Sequence, residues 1–313
     1  MAIDPPTPLD RHAQRLLRMI ALSRGGAAGS PETRRRGLED LKTLAEDPAD
    51  DAVSSRDMII DGPGGPLTLR LYDPGTPGAV LGGLVYFHGG GWVAGDLETH
   101  DGLCRRLAKA AGIQILAVDY RRAPEHRFPA PVEDGIAALL WAADHAAELG
   151  IDPNRLCIGG DSAGAGIAAA AALALGGRLP LAVQLLICPI LDLAAESASR
   201  RTFAEGYFLD RATMAADLAD YLGEHTDLAD PRLSPLRAAS LVAAPLALIH
   251  TASHDPFRDE AAAFSQALSE AGVATQITDH AGMIHYFYAL PRAIPYAREA
   301  AQMIGAQLAA VLG

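Results

Sequence analysis

Cysteine is scarce: three in 313 residues, at positions 104, 157 and 188, with no C-x-x-C pair. So odd and scattered a set excludes a disulfide framework. It fits a reducing, cytoplasmic setting in which each thiol packs as a small apolar group. Positive charge is also short. Twenty-six Lys and Arg stand against 38 Asp and Glu, the net charge is −12, and no long basic run occurs. That balance argues against a nucleic-acid partner and against stable association with an anionic membrane. Long apolar runs are missing. The longest, Ala163 to Leu175, is too short and too alanine-rich to span a bilayer. The N-terminus, MAIDPPTPLDRHAQ, is polar and has no apolar signal-peptide core. No glycine cluster leads into G-K-[ST], so a P-loop is excluded, and no H-E-x-x-H occurs. No metal or other cofactor is expected.

Half of the residues are hydrophobic. That suffices for a large core in one α/β domain with an addition. Two amphipathic helices, HAQRLLRMIAL and PETRRRGLEDLKTLAE, are expected in residues 1–50, parted by the breaker RGGAAGSP. Strand-like SRDMIID and LTLRLYD follow. From Leu81 apolar runs alternate with helical stretches: LGGLVYF, IQILAVDY, RLCIGG, AVQLLICPI, APLALIHT and ATQITD. This alternation predicts a mostly parallel sheet with helices on both faces. Residues 192–241 break the rhythm with a helical piece, RATMAADLADYLGEH, and a proline-punctuated loop, but no strand. The expected organisation is a core of residues 51–191 and 242–313, carrying the insertion 192–241. With the N-terminal helices the insertion would form a cap.

The stretch RLCIGGDSAGAGIAAAAALALGG reads strand, tight turn, helix, and Gly160 to Gly164 fits G-x-S-x-G. A serine on so sharp a turn presents a strained, exposed hydroxyl. Side chains two residues to either side would collide, hence the glycines. The helix that follows aims its positive end at the site. A dinucleotide fingerprint, G-x-G-x-x-A from Gly164 to Ala169, fits less well. Its first glycine lies inside the helix, and no acidic residue ends a following strand.

Ser162 needs a base, and the base needs an orienting carboxylate. In α/β-hydrolases the chain order is Ser, acid, His. Of the later histidines, His225 lies in the insertion, His250 inside a strand pattern, and His280 at the end of the last strand. His285 lies in a loop free to approach the serine. Asp255, in the exit loop of APLALIHTASHD, is the expected acid. Asp259 and Glu260 read as helix N-terminal residues, and His254 as an exposed neighbour.

Attack on a carbonyl places charge on oxygen, and preorganised N–H donors stabilise it. Ala163 follows the nucleophile and supplies one donor. The loop YFHGGGWVAGD carries the H-G-G-G form found in lipases and esterases, so Gly89 and Gly90 are the expected others. His88 is expected to support that loop, and Trp92 to pack. The remaining expected substrate contacts are Tyr207, Phe208, Tyr286 and Asp161.

Taken together, HGGGW at 88–92, YRRAPEHRFPAPVED at 120–134, GDSAG at 160–164, DPRLSPL at 230–236, HDPFRDE at 254–260 and GMIHYF at 282–287 resemble the bacterial hormone-sensitive-lipase-like esterases, family IV of bacterial lipolytic enzymes. The likeness spans the chain from about residue 50 onward. It implies an α/β-hydrolase fold with a helical cap and a Ser162–His285–Asp255 triad. It further implies hydrolysis of short- to medium-chain carboxylic esters, small-molecule substrates, without a cofactor. It implies that Glu125 and Arg127 tie the loop after IQILAVDY. The chain departs from the pattern at Ser253-His254 and at Tyr286, where glycine is commoner. A binding protein related to the family, of the plant-hormone-receptor kind, would lack the histidine that stands here at 285. A long-chain lipase would call for a large exposed apolar anchor, and none is evident. Monomer and homodimer both remain open.

Overall fold

The computed structural model describes residues 7–23, 29–48, 51–75, 78–225 and 227–313. Most of the breaker between the first two helices lies outside them. Helix α1 is Arg11–Ser23 and α2 is Pro31–Ala45. Helix α2 starts where the sequence signals it: Ser30 accepts the Thr33 N–H, and Pro31 stands in the first turn. Strands β1 (Ser54–Gly62) and β2 (Gly65–Asp73) form a hairpin. Then come β3 (Leu81–Phe87), α3 (Asp101–Ala111), β4 (Gln114–Val118), α4 (Ala130–Asp144), α5 (Ala146–Leu149), β5 (Ile151–Asp161), α6 (Ala163–Leu175) and β6 (Val183–Ile187). The insertion carries α7 (Ala198–Thr202) and α8 (Arg211–Leu222). The chain closes with β7 (Leu246–His254), α9 (Arg258–Glu270), β8 (Thr275–Ile284) and α10 (Tyr296–Leu312).

All eight strands join one sheet in the order β1-β2-β4-β3-β5-β6-β7-β8. Strand β2 runs antiparallel to β1 and β4, and the other pairs are parallel. Every residue of β4 and β6 is buried, which is why QILAV and VQLLI read as nearly unbroken apolar runs. Alternate side chains feed two cores. Val85 and Phe87 of β3 pack with Leu139 of α4, Ala168 of α6 and Phe264 of α9. Leu84 and Tyr86 pack on the other face with Leu103 and Leu107 of α3 and Ile304 and Leu308 of α10. The helical stretch PVEDGIAALLWAADHAAELG, residues 131–150, is broken at His145, whose φ of −107° leaves the helical region.

The insertion is anchored to α9. Glu260 accepts the Asp192 N–H at 2.8 Å and pairs with Arg200 at 3.0 Å, and Asp259 accepts the Ser199 N–H at 2.8 Å. Strands β3, β5, β7 and β8 end on the same edge. Those ends carry the glycine loop, Ser162, Asp255 and His285. In open α/β sheets that edge is where ligands bind.

Candidate active site

Ser162 sits between β5 and α6 with φ 53° and ψ −120°, a backbone conformation that few non-glycine residues adopt. Its N–H donates to the Ile187 carbonyl at 2.8 Å, which pins the turn to β6. The flanking glycines are required by β3 as well as by each other. A Cβ on Gly160 would lie 2.3 Å from the Phe87 carbonyl oxygen, and one on Gly164 2.1 Å from the same atom.

His285 lies just beyond β8. The Ser162 hydroxyl is 2.9 Å from His285 Nε2, and His285 Nδ1 is 2.7 Å from Asp255 Oδ2. A carboxylate can only accept, so Nδ1–H donates to Asp255 and Nε2 is left to accept the serine proton. Asp255 Oδ1 accepts the Phe257 N–H at 2.7 Å, which fixes the carboxylate plane. All three side chains are buried. Asp259, the rival acid, turns to Ser199 instead.

Cys188, expected to pack as a small apolar group, lies beside the acid of the triad. Its thiol hydrogen-bonds the Asp255 carboxylate, and burial beside that charge raises the thiol well above its ordinary pKa. Among the described residues, Cys188, Asp255 and His285 are the one group of side-chain donors close enough to share a metal ion. Each is committed to the hydrogen bonds just given. His250 and His254 are four residues apart, but they lie on strand β7, where that spacing separates them by about 13 Å. His250 pairs with His280 at 3.1 Å, and His280 with Tyr296 at 3.0 Å, away from the serine.

The glycine loop requires a correction. The Gly89 N–H donates to Asp161 Oδ1 at 3.0 Å and is not available to a substrate. Asp161 itself is fully buried, so it does not contact substrate either. Tyr86 OH donates to it at 2.7 Å and Tyr288 OH at 3.0 Å, with His100 Nε2 3.4 Å away. Burial alone would raise its pKa. The His100 ring and the two tyrosine hydroxyls outweigh that and hold the carboxyl below the usual carboxylate range. Asp161 is therefore a buried anion that fastens the start of the loop from below. The next two residues, Gly90 and Gly91, have φ of 119° and 62°. Among the described residues, no acceptor pairs with the N–H of Gly90, Gly91 or Ala163. The free donors thus include Gly91, which sequence reasoning missed. Which N–H of a glycine triplet is free depends on where the Asp161 carboxylate lies, and only the packed structure brings that residue beneath Gly89.

His88 fills the supporting place expected of it. Its Nδ1–H donates to the Gly89 carbonyl at 2.8 Å, its ring stacks on Tyr120 at 4.2 Å, and burial pushes its pKa down to about 3, so it stays neutral. Trp92 packs face to face on Tyr221 of α8, ring centroids 4.5 Å apart. His254, expected to be exposed, is buried: Tyr207 stacks on its ring at 5.6 Å and Phe203 meets it edge-on. Phe208 and Tyr286 stack at 5.6 Å beside His285, both with positive φ. Glu125 ties its loop through another element. It pairs with Arg35 of α2 at 2.6 Å.

A family model described as the α/β hydrolase fold matches residues 84–289. The chain belongs to that family. This hydrolase is 42% identical over 244 residues to the carboxylic ester hydrolase LipN of Mycobacterium tuberculosis, covering 75% of this chain and 64% of LipN. It is 35% identical over 300 residues to the ethyl acetate hydrolase of Pseudomonas putida, covering 94% of this chain and 92% of that protein. Among solved structures, the ester-hydrolase EH1AB1 from the metagenome of Lake Arreo superposes with a TM-score of 0.92 at 40% identity, covering 96% of this chain and 98% of that one. No helix among the described residues is long and apolar enough to cross a membrane.

Proposed function

We propose that this hydrolase is a serine carboxylesterase acting on short- to medium-chain esters through an acyl-enzyme, in the cytoplasm. The supporting observation is the hydrogen-bonded chain from Ser162 through His285 to Asp255, with three unpaired backbone N–H groups beside it. His285 Nε2 takes the serine proton as Oγ attacks the ester carbonyl. Gly90, Gly91 and Ala163 donate to the oxyanion, each worth about 3 kcal/mol in the transition state. His285 then protonates the leaving alcohol. A water molecule, deprotonated by the same nitrogen, releases the acid. Asp255 holds the imidazole in the working tautomer and stabilises the imidazolium that forms. Helices α1 and α2 with α7 and α8 of the insertion form a cap over this edge, and the stacked Phe208 and Tyr286 bound the acyl pocket.

Mixing the enzyme with a p-nitrophenyl ester should release a burst of nitrophenol equal to the enzyme present. An organophosphate should block turnover with its adduct on Ser162. Turnover without a burst, together with an adduct elsewhere, would falsify the mechanism. Across p-nitrophenyl esters from acetate to palmitate, kcat/KM should collapse for the long chains because the aromatic pair closes the pocket. A maximum at palmitate would rule out that assignment.

No step needs a metal. A chelator should leave kcat/KM unchanged, whereas activity lost to the chelator and restored by zinc would overturn this scheme.

A further inference from the structure

Two adjacent arginines on α2, Arg34 and Arg35, reach the glycine loop by different routes. Consecutive helix residues point about 100° apart, so the two side chains serve different partners. The Arg34 side chain is only 7% exposed. Its Nη2 hydrogen-bonds Asp220, and its Nη1 lies 2.8 Å from Asp217 Oδ1, a close meeting of charges without hydrogen-bond alignment. Asp217 and Asp220 are three apart on α8 and so share one face. The other Asp217 oxygen presses on the loop: a Cβ on Gly91 would lie 2.2 Å from it. Burial pushes Asp217 up to about 7 against the pull of Arg34. Arg35 acts directly. Its Nε donates to the Val93 carbonyl and its Nη2 to the Ala123 carbonyl, both at 2.9 Å, while Glu125 holds the fork. Ala123 in turn donates its N–H to the Trp92 carbonyl at 2.9 Å.

The loop is thus clamped from two sides. Asp161 holds Gly89 from below. Asp217, backed by Arg34, bears on Gly91 from above, and Arg35 holds Val93 two residues on. Gly90, Gly91 and Trp92 lie between Gly89 and Val93, and among the described residues no acceptor takes the N–H of Gly90 or Gly91. We infer that Arg34 and Arg35 are positioning residues for the oxyanion donors, so that the N-terminal helix sets the geometry of the reacting carbonyl and does more than cover the acyl chain. The inference rests on the oxyanion role given to Gly90 and Gly91 above. Neither arginine needs to touch substrate.

This assignment and a purely covering role differ in what they predict. A cover protects long acyl chains more than short ones and acts mainly through KM. A misplaced oxyanion donor harms every ester alike, and a displacement near 1 Å can cost about 100-fold. The test measures kcat and KM for p-nitrophenyl acetate, butyrate and octanoate with Arg34→Met, Arg35→Met and Asp217→Asn. It adds the inhibition constant of an alkyl boronic acid, whose tetrahedral adduct on the serine carries the oxyanion charge. Each arginine variant should lose about 10- to 100-fold in kcat. The factor should be the same on all three esters, with KM nearly unchanged and boronate binding weakened in parallel. Asp217→Asn should show the same pattern, more mildly. Arg35→Lys keeps the charge but replaces the planar fork, whose separate nitrogens reach Val93 and Ala123, with a single nitrogen. It should recover only part of the loss, and it reads the same effect if Arg35→Met does not fold. Losses that grow with acyl length, or a lower Tm with unchanged kcat and boronate affinity, would overturn the assignment. Failure of the parent reading shows separately, as turnover retained by Ser162→Ala.

Discussion

Ser162→Ala should give a folded enzyme whose kcat is lower by roughly 10⁴–10⁶-fold, with KM little changed. The size follows from the geometry. Among the described residues, His285 Nε2 has one nucleophile within reach, the serine hydroxyl at 2.9 Å. The nearest alternative, the Cys188 thiol, faces Asp255, its proton is held there, and it is buried. It cannot attack a carbonyl held over Ala163. What remains is water activated by His285 near an intact set of N–H donors, and such remnants retain only about 10³–10⁴-fold over water. The fold should survive. The turn is fixed by backbone contacts, Ser162 N–H to Ile187 and the carbonyl overlap at Gly160 and Gly164, and none of these uses the hydroxyl. Ser162→Ala is then expected to melt at the wild-type temperature and to resist the organophosphate. A variant that keeps a tenth of wild-type kcat would remove Ser162 from its role.

The sheet and the Ser–His–Asp chain were legible because their signals are local. Buried parallel strands must be apolar throughout, so QILAV and VQLLI announce themselves. An elbow serine needs small neighbours because a carbonyl lies against them, although that carbonyl belongs to Phe87 of another strand. His285 could be chosen by the chain order of serine, acid and histidine together with its loop position. What escaped notice depends on contacts between segments far apart in sequence. Gly89 and Gly91 look alike until Asp161, 72 residues away from Gly89, takes the first N–H. Nothing in the amphipathic stretch PETRRRGLEDLKTLAE singles out Arg34 or Arg35, and only the packed insertion supplies Asp217 and Asp220. His254 looked exposed because Tyr207 and Phe203, which cover it, come from that same insertion. Asp161 was misplaced for a related reason. A carboxylate beside the nucleophile suggests contact with substrate, but its donors, Tyr86 and Tyr288, lie on β3 and beyond β8.

Asp255→Asn should lower kcat by on the order of 10⁴, while Asp259→Asn should lose far less. The asymmetry starts at Phe257. Its N–H donates to Asp255 Oδ1, so an asparagine there keeps its carbonyl oxygen toward Phe257 and turns its NH₂ toward His285. An NH₂ cannot accept the Nδ1 proton. The imidazole then shifts that proton to Nε2, the atom that must receive the serine's. The base is present and well placed, but in the wrong tautomer. The imidazolium formed during attack also loses the buried carboxylate 2.7 Å away that stabilises it. Asp259 offers a control within the same segment, four residues on. It accepts from Ser199 and helps to anchor the insertion, so its amide should cost stability and leave the base intact. Steady-state kinetics, organophosphate labelling rates and thermal melts on the two variants separate these roles. Asp255→Asn should label slowly and melt near wild type, and Asp259→Asn should label at nearly the wild-type rate and melt lower. Equal losses of kcat in the two variants would take the orienting role away from Asp255.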